Sequence, residues 1–177
     1  MKRIALIMAT LVLSGCAGQM VVTAGPAGTP GSGGGAVQGG TNIHKPGDTV
    51  TVQQNGKDYV KITVSDVQTA ASYTSGKGYP DKPRVAGNVY ISANVAYEAL
   101  ADGVEYNTFD WTVTCAGVAV NNWTIELYGP KPELGSGSLS SGQKASGFLI
   151  YEVPPKGEVR MSYGGDPATF IVVIRAS

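Results

Sequence analysis

The strongest constraint on this chain lies from Gly47 onward, where short apolar runs alternate with clusters of turn residues. In residues 88–100 the apolar side chains fall on every second position: Val89, Ile91, Ala93, Val95 and Tyr97. Successive side chains of a β-strand point to opposite faces, so this alternation predicts a half-buried strand. No part of this region repeats apolar residues at helical spacing. The pattern therefore predicts an all-β fold.

The same reading predicts strands over residues 48–53, 58–67, 88–100, 106–116, 123–127, 144–153, 158–163 and 169–175. Asn55-Gly56 is a strong hairpin signal, and Val67 falls on the wrong face of its strand, which indicates a bulge near Ser65-Asp66. In the strand 106–116 four side chains are predicted to face inward: Phe109, Trp111, Val113 and Cys115. Together these segments predict an antiparallel immunoglobulin-like β-sandwich of seven to eight strands.

The amino terminus has the parts of a bacterial secretion signal: basic residues, an apolar run over 4–13, and a small-residue exit. Ten apolar residues span about 15 Å as a helix, which is half of the hydrocarbon core. Residues 1–15 are therefore predicted to be a cleaved signal peptide. Leu13-Ser14-Gly15-Cys16 resembles the lipobox, and this resemblance implies that Cys16 is lipidated, with palmitate among its acyl chains. The predicted location is the extracytoplasmic side of the cell membrane, or the outer membrane where one is present.

Residues 16–45 are predicted to be the lipidated cysteine and a flexible tether, and residues 46–177 the folded domain. The segment 17–42 carries no charge and is rich in Gly, Ala, Ser, Thr and Pro, so it buries too little apolar surface to offset its chain entropy. Its one apolar run, Met20-Val21-Val22, is expected to lie near the membrane rather than in a core. His44, the one histidine, is expected to be a solvated residue of the tether.

Three motifs of the domain follow one another along the chain. Gly87 precedes the long central strand, Phe109-Asp110-Trp111 follows that strand, and a third motif lies near the carboxyl end of the domain. That last segment contains Leu139, Gly142, Gly147, Leu149, Tyr151, Glu152, Val153 and Pro154. Over residues 46–175 the chain resembles the DUF4352 family of the MPT63-like, telokin-like immunoglobulin superfamily. The resemblance implies a lipid-anchored or secreted immunoglobulin-like domain. One departure is the alanine-rich end of the central strand, which leaves open where that strand stops.

The composition argues against several kinds of chemistry. The formal net charge is zero, so nucleic acid, which requires a basic face, is not a predicted partner. If Cys16 carries lipid, Cys115 has no disulfide partner in the chain, and it is predicted to be a small buried hydrophobe. Cys and His are too few for a zinc site, and Asp81, Asp102 and Glu105 are expected to be solvated turn residues. No catalytic residue, metal site or cofactor is predicted, and the chain is not expected to be an enzyme.

Three tyrosines form the candidate interaction surface. Tyr73 and Tyr79 lie in the long loop 70–87, and Tyr128 opens the loop 128–142. Exposed loop tyrosines often make contact surfaces, although such rings also pack over the ends of sandwiches. The predicted function is a membrane-anchored lipoprotein that presents this domain to an envelope protein or polymer; the sequence leaves ligand and oligomeric state open. The alternatives are phage exclusion and a passive structural or stress-related role in the envelope.

Overall fold

The computed structural model describes the backbone of residues 20–25 and, with side chains, residues 42–74, 78, 80–120, 128–165 and 168–177. Within these residues two main sheets pack face to face as a β-sandwich. The predicted all-β fold is therefore confirmed. The predicted strand at 123–127 lies outside the described residues. Among the described residues, no helix is long and apolar enough to cross a membrane.

The strands are numbered in chain order. The first sheet runs, from edge to edge, through β1 (Met20–Gly25), β3 (Thr49–Gln54), β4 (Lys57–Ala70), β7 (Val89–Ala99) and β12 (Lys144–Val153), all antiparallel. The second runs through β10 (Val118–Val120), β9 (Trp111–Cys115), β13 (Val159–Tyr163), β14 (Phe170–Arg175) and β2 (Ile43–His44), with β14 and β2 parallel. Two short pairs join β8 (Val104–Tyr106) to β11 (Gly137–Leu139) and β5 (Tyr73–Thr74) to β6 (Pro80–Asp81).

The core lies between the two main sheets and uses the alternating positions seen in the sequence. The first sheet contributes, from β7, the buried side chains Ile91, Ala93, Val95 and Tyr97. The second contributes, among others, Trp111, Val113, Met161 and Phe170. The indole Nε1 of Trp111 donates a hydrogen bond of 2.7 Å to the hydroxyl of Tyr97, which links the two sheets. Because buried Trp and Tyr each need a polar partner, this bond satisfies both groups at once.

The local turn signals are confirmed. Asn55 and Gly56 adopt φ values of 54° and 74°, as the two central residues of a type I′ hairpin require. The register between β4 and β7 shifts between Ser65 and Gln68, and Asp66 has φ 48°. This bulge moves Val67 onto the core face, where it packs against the buried cluster.

The structure corrects the sequence prediction for Phe109. It was expected to face inward with Trp111, yet 75% of it is exposed. Residues Thr108–Asp110 form a turn of 3-10 helix, and the side-chain oxygen of Asn107 caps it by accepting from the Phe109 amide at 3.0 Å. The period-two pattern therefore begins only at Trp111, because helical residues before it do not alternate between faces.

The tether prediction is also corrected. Met20–Gly25, expected to be flexible, forms β1 and pairs along its whole length with Thr49–Gln54. Without this partner β3 would present unpaired backbone groups at a sheet edge, and the valine- and threonine-containing segment has the residue types that favour strands. Ile43 and His44, which the sequence assigned to the tether, pair with β14 and belong to the second sheet.

His44 is not the solvated residue that its sequence position suggested. Its side chain is 8% exposed and its ring meets Phe170 edge-on, with centroids 6.0 Å apart. Burial lowers the pKa of His44, and the nearby carboxylate of Asp48 opposes that shift. His44 is therefore part of the packing that closes the β14 edge of the second sheet.

The segment after β6 folds over the outer face of the first sheet and is held there by Glu152. Its carboxylate accepts hydrogen bonds from the backbone amides of Arg84 and Val85, at 2.9 and 2.8 Å, and from the Asn88 side chain at 3.0 Å. Glu152 is only 6% exposed. Tyr90, whose strand position faces away from the core, is buried at 1% exposure. The segment after β6 therefore covers part of the outer face of the first sheet.

Candidate functional site

Two of the residues predicted to act at the surface, Cys16 and Tyr79, lie outside the described residues. Tyr73 is half buried, and its ring stacks on Tyr90 with centroids 5.1 Å apart and an interplanar angle of 13°. One face of the Tyr73 ring is therefore used within the fold. Tyr128 is 45% exposed. The interaction surface of these tyrosines stays a prediction.

A different candidate site lies where the β3–β4 hairpin, the β8–β11 pair and the end of β13 meet. Here lies an open cleft of about 550 Å³, which we call the tyrosine-lined cleft. Its described lining residues are Gln54, Tyr59, Glu105, Tyr106, Asn107, Asp110, Ser136, Gly137, Ser138, Tyr163 and Gly164. Ligand pockets commonly have volumes of roughly 300–1,000 Å³, so the cleft is large enough for a small organic molecule.

Backbone contacts hold two rings of the cleft, and the third, that of Tyr163, packs on Trp111 and Phe170. The hydroxyl of Tyr59 donates to the carbonyl of Gly103 at 2.8 Å, which ties the start of β4 to the turn before β8. Gly137 of β11 lies against the ring of Tyr106, since a Cβ at Gly137 would come within 2.9 Å of the Tyr106 hydroxyl. Tyr163 is 8% exposed, so its ring forms part of the floor.

The cleft is acidic. Burial raises the pKa of Asp110, the negative charge of Glu105 raises it further, and a hydrogen bond from the backbone of Asn107 opposes both effects. Glu105, which was expected to be a solvated residue beside a turn, is exposed and is one of the lining residues of the same cleft. None of the lining residues named above is Lys, Arg or His. The site therefore concentrates negative charge beside aromatic rings.

Tyr163 contributes a protonated hydroxyl to the cleft. Burial raises the pKa of Tyr163 to about 12, and the charges of Asp110 and Tyr59 act in the same direction. At neutral pH this hydroxyl keeps its proton and is not a base. The cleft brings tyrosine side chains and carboxylates together around one open space.

A second cavity, of about 420 Å³, lies on the outer face of the first sheet. Glu98 lies between two lysines there, with Nζ of Lys144 at 3.2 Å and Nζ of Lys61 at 3.8 Å from its oxygens. The hydrogen bond to Lys144 and the charges of both lysines lower the pKa of Glu98. Exposed pairs of this kind are solvated and contribute little. Glu98 offsets one of the two lysine charges, so the three charged side chains of this cavity leave a net charge of +1.

Cys115 is a buried free thiol, as predicted. Its Sγ donates to the carbonyl of Lys156 at 3.5 Å, and Nη2 of Arg175 approaches it at 3.5 Å. These contacts place Cys115 in the packing beneath the loop after β12. Among the described residues, no group of three or more His, Cys, Asp and Glu side chains is arranged to hold a metal ion.

Fold and cleft together define a β-sandwich domain with an open polar site. No family model and no curated protein matches the chain. Among solved structures, it is similar to the putative lipoprotein YcdA of Bacillus subtilis, with 16% identity and a TM-score of 0.53 over 67% of this chain and 37% of that one. It is also similar to the YjhA protein of Bacillus subtilis, with 21% identity and a TM-score of 0.51 over 75% of this chain and 99% of that one.

An uncharacterised β-sandwich protein of Clostridium difficile aligns with 14% identity and a TM-score of 0.46, over 81% of this chain and 100% of that one. The match to YcdA spans little more than a third of that protein's chain. At these identities the similarity to YcdA and YjhA shows the fold alone. Residues of the tyrosine-lined cleft were missed by sequence reasoning because Tyr59, Tyr106 and Tyr163 are far apart in the chain. The one local signal was the dense polar and aromatic run 105–110.

Proposed function

We propose that this chain is a lipid-anchored bacterial envelope protein of the DUF4352 family whose β-sandwich binds a polar ligand in the tyrosine-lined cleft. Binding, rather than catalysis, is the proposed role. The observation that carries it is the convergence of three tyrosine rings and two carboxylates, from separate parts of the chain, on one open cleft. A few convergent polar groups beside aromatic walls are typical of ligand sites.

The anchor is supported by the amino-terminal sequence, which ends its apolar run at Leu13-Ser14-Gly15-Cys16. A structural neighbour, YcdA, is itself described as a putative lipoprotein. The pairing of β1 limits the distance between the proposed lipid anchor and the edge of the first sheet. Met20 is four residues after Cys16, and four extended residues reach at most about 14 Å. With β1 paired, the edge of the first sheet is therefore held close to the lipid surface.

The anchor is tested by labelling whole cells with a clickable palmitate analogue. We expect the wild-type chain to be labelled and to fractionate with membranes, and Cys16→Ser to lose both properties because the thioether cannot form. Cys115→Ser is the matched control, since it removes the other cysteine and is expected to keep the label. An unlabelled wild-type chain, or label retained in Cys16→Ser, would contradict the anchor.

Ligand binding is tested on the full chain in detergent by saturation-transfer NMR against neutral sugars, amino sugars and amino alcohols. Signals are expected for at least one class and are expected to disappear in Tyr106→Leu, with the fold checked by circular dichroism. Tyr128→Leu is the matched control, because Tyr128 is exposed and is not a lining residue of the cleft. Binding that persists in Tyr106→Leu but is lost in Tyr128→Leu would place the site on the loop instead.

A further inference from the structure

The proposed lipid anchor reaches the domain at one particular end of the sandwich. Met20, the first residue of β1, pairs with Gln54, which is the last residue of β3 and lines the tyrosine-lined cleft. Cys16 precedes Met20 by four residues, and four extended residues reach at most about 14 Å. A lipid on Cys16 therefore holds the end of the sandwich with the β3–β4 hairpin and the cleft near the membrane surface.

The most exposed large hydrophobic side chain among the described residues lies at the same end. Phe109 is 75% exposed and stands between Asn107 and Asp110, which both line the cleft. It belongs to the 3-10 turn Thr108–Asp110, where the side chain of Asn107 accepts from the Phe109 amide at 3.0 Å. The carbonyl of Asp110 accepts a hydrogen bond of 3.0 Å from the amide of Gly164. The backbone that carries the Phe109 ring is thus held in place.

A single exposed apolar side chain is common on protein surfaces and by itself indicates no partner. A lipid anchor at the same end changes the balance, because the membrane is already beside the ring and the contact becomes intramolecular. An aromatic ring that enters the boundary between headgroups and acyl chains removes apolar surface from water. One ring can therefore support a contact with the membrane that it could not support in a freely diffusing protein.

Resting on the proposed lipid anchor, we infer that the end of the domain with the 3-10 turn docks on the membrane surface, with the ring of Phe109 inserted among the lipid headgroups. The partner is a lipid surface, and the contact fixes the orientation of the anchored domain. Val118 marks the opposite end and points away from the membrane in this orientation. It is 70% exposed and pairs with Cys115, the last residue of β9, whereas Trp111, the first residue of β9, directly follows the 3-10 turn.

The test measures how close a fluorophore lies to lipid in the full lipidated chain, reconstituted into phosphatidylcholine vesicles. In a Cys115→Ser background the lipid blocks Cys16, the one other cysteine, so an introduced cysteine is labelled alone. A label at Phe109→Cys is expected to be quenched by nitroxide-carrying lipids roughly threefold more than the same label at Val118→Cys. Val118 is the matched control because its exposure is similar. Equal quenching at the two positions would overturn the inference.

These vesicles are zwitterionic because Glu105 and Asp110 lie close to the 3-10 turn in the sequence. Their carboxylates would be repelled by anionic lipids. A surface without net charge therefore isolates the contribution of the ring.

A label at a third position separates the effect of the ring from that of the anchor. Lys57 is exposed and pairs with Gln54, so a label at Lys57→Cys reports on the same end without altering Phe109. Its quenching is expected to fall roughly twofold when Phe109→Ser is added, and to stay the same when Val118→Ser is added. Circular dichroism checks that each variant is folded. Unchanged quenching in Phe109→Ser would show that the anchor alone positions this end, which overturns the inference.

Palmitate labelling of the same preparations separates failure of the inference from failure of the proposed anchor. If the chain carries lipid at Cys16 but the fluorophores at positions 109 and 118 are quenched equally, the anchor stands and the docking inference is wrong. If the wild-type chain takes up no palmitate, or Cys16→Ser keeps it, the anchor and the inference are both overturned.

Discussion

A Gly147→Ala variant is expected to lose roughly 2–4 kcal/mol of unfolding free energy, combining an overpacking penalty with two weakened backbone hydrogen bonds. Gly147 lies in β12, the strand at one edge of the first sheet. The chain segment after Tyr128 runs alongside that edge. The Leu134 amide donates a hydrogen bond of 3.0 Å to the carbonyl of Phe148, and the Phe148 amide donates one of 2.8 Å to the carbonyl of Pro132. The segment covers backbone groups that would otherwise stay unpaired.

Gly147 permits this approach because it has no side chain. A Cβ there would come within 2.4 Å of the Leu134 backbone nitrogen and 2.5 Å of its Cα. Neither atom belongs to a flexible side chain, so the covering segment would have to move away. The close backbone contact is a physical reason for a glycine at this place.

Urea unfolding measures the loss, and hydrogen exchange at the Leu134 and Phe148 amides shows whether the covering segment has detached. Gly135→Ala is the matched control in the same segment: a Cβ at Gly135 meets nothing within 4 Å. That substitution is expected to be neutral or to stabilise the protein slightly, since it reduces the entropy of the unfolded chain. Equal urea midpoints for Gly147→Ala and wild type would contradict the close approach of Leu134 to Gly147.

Glu152→Gln is expected to cost about 1.5–3 kcal/mol at neutral pH, the range for hydrogen bonds to a charged group. The carboxylate accepts from three donors, the amides of Arg84 and Val85 and the side chain of Asn88. Glutamine has one acceptor oxygen, so its NH₂ would face an N–H group and leave a part-buried donor without its acceptor. The segment 84–88 would then lose its fixed position over Tyr90.

The effect of Glu152 is expected to depend on pH. Burial alone would raise the pKa of Glu152, but the hydrogen bonds from Val85, Arg84 and Asn88, with the charge of Arg84, outweigh burial and lower it below its usual 4.5. Because the folded-state pKa is the lower one, the stabilisation is fully present above the unfolded-state value and is lost as pH falls through the folded-state pKa. The difference between wild type and Glu152→Gln is therefore expected to shrink in acid.

Urea midpoints between pH 7 and pH 3 measure this difference. Glu98→Gln is the control, because Glu98 is an exposed carboxylate of the same sheet and its lysine partners are exposed. It is expected to leave the midpoint at pH 7 close to that of wild type. A Glu152→Gln protein that unfolds like wild type at pH 7 would show that the segment 84–88 is held by other contacts.

The amino-acid sequence by itself determined the features that depend on near neighbours in the chain. The alternation in β7 predicted its buried face correctly, since side-chain direction in a strand follows from the backbone alone. Asn55-Gly56 predicted its hairpin and Val67 the bulge at Asp66, because both need backbone conformations that only some residues adopt readily. The all-β fold follows from the sum of such local signals.

The tertiary structure alone decided which distant residues meet. The pairing of Met20–Gly25 with β3 satisfies a sheet edge that exists only once the sheet is assembled. Glu152 is buried because a loop more than sixty residues earlier in the chain folds onto it. Tyr59, Tyr106 and Tyr163 share one cleft through strand order and loop path, which no local pattern encodes. Local preference sets the strands, whereas the site depends on how the strands and loops are assembled.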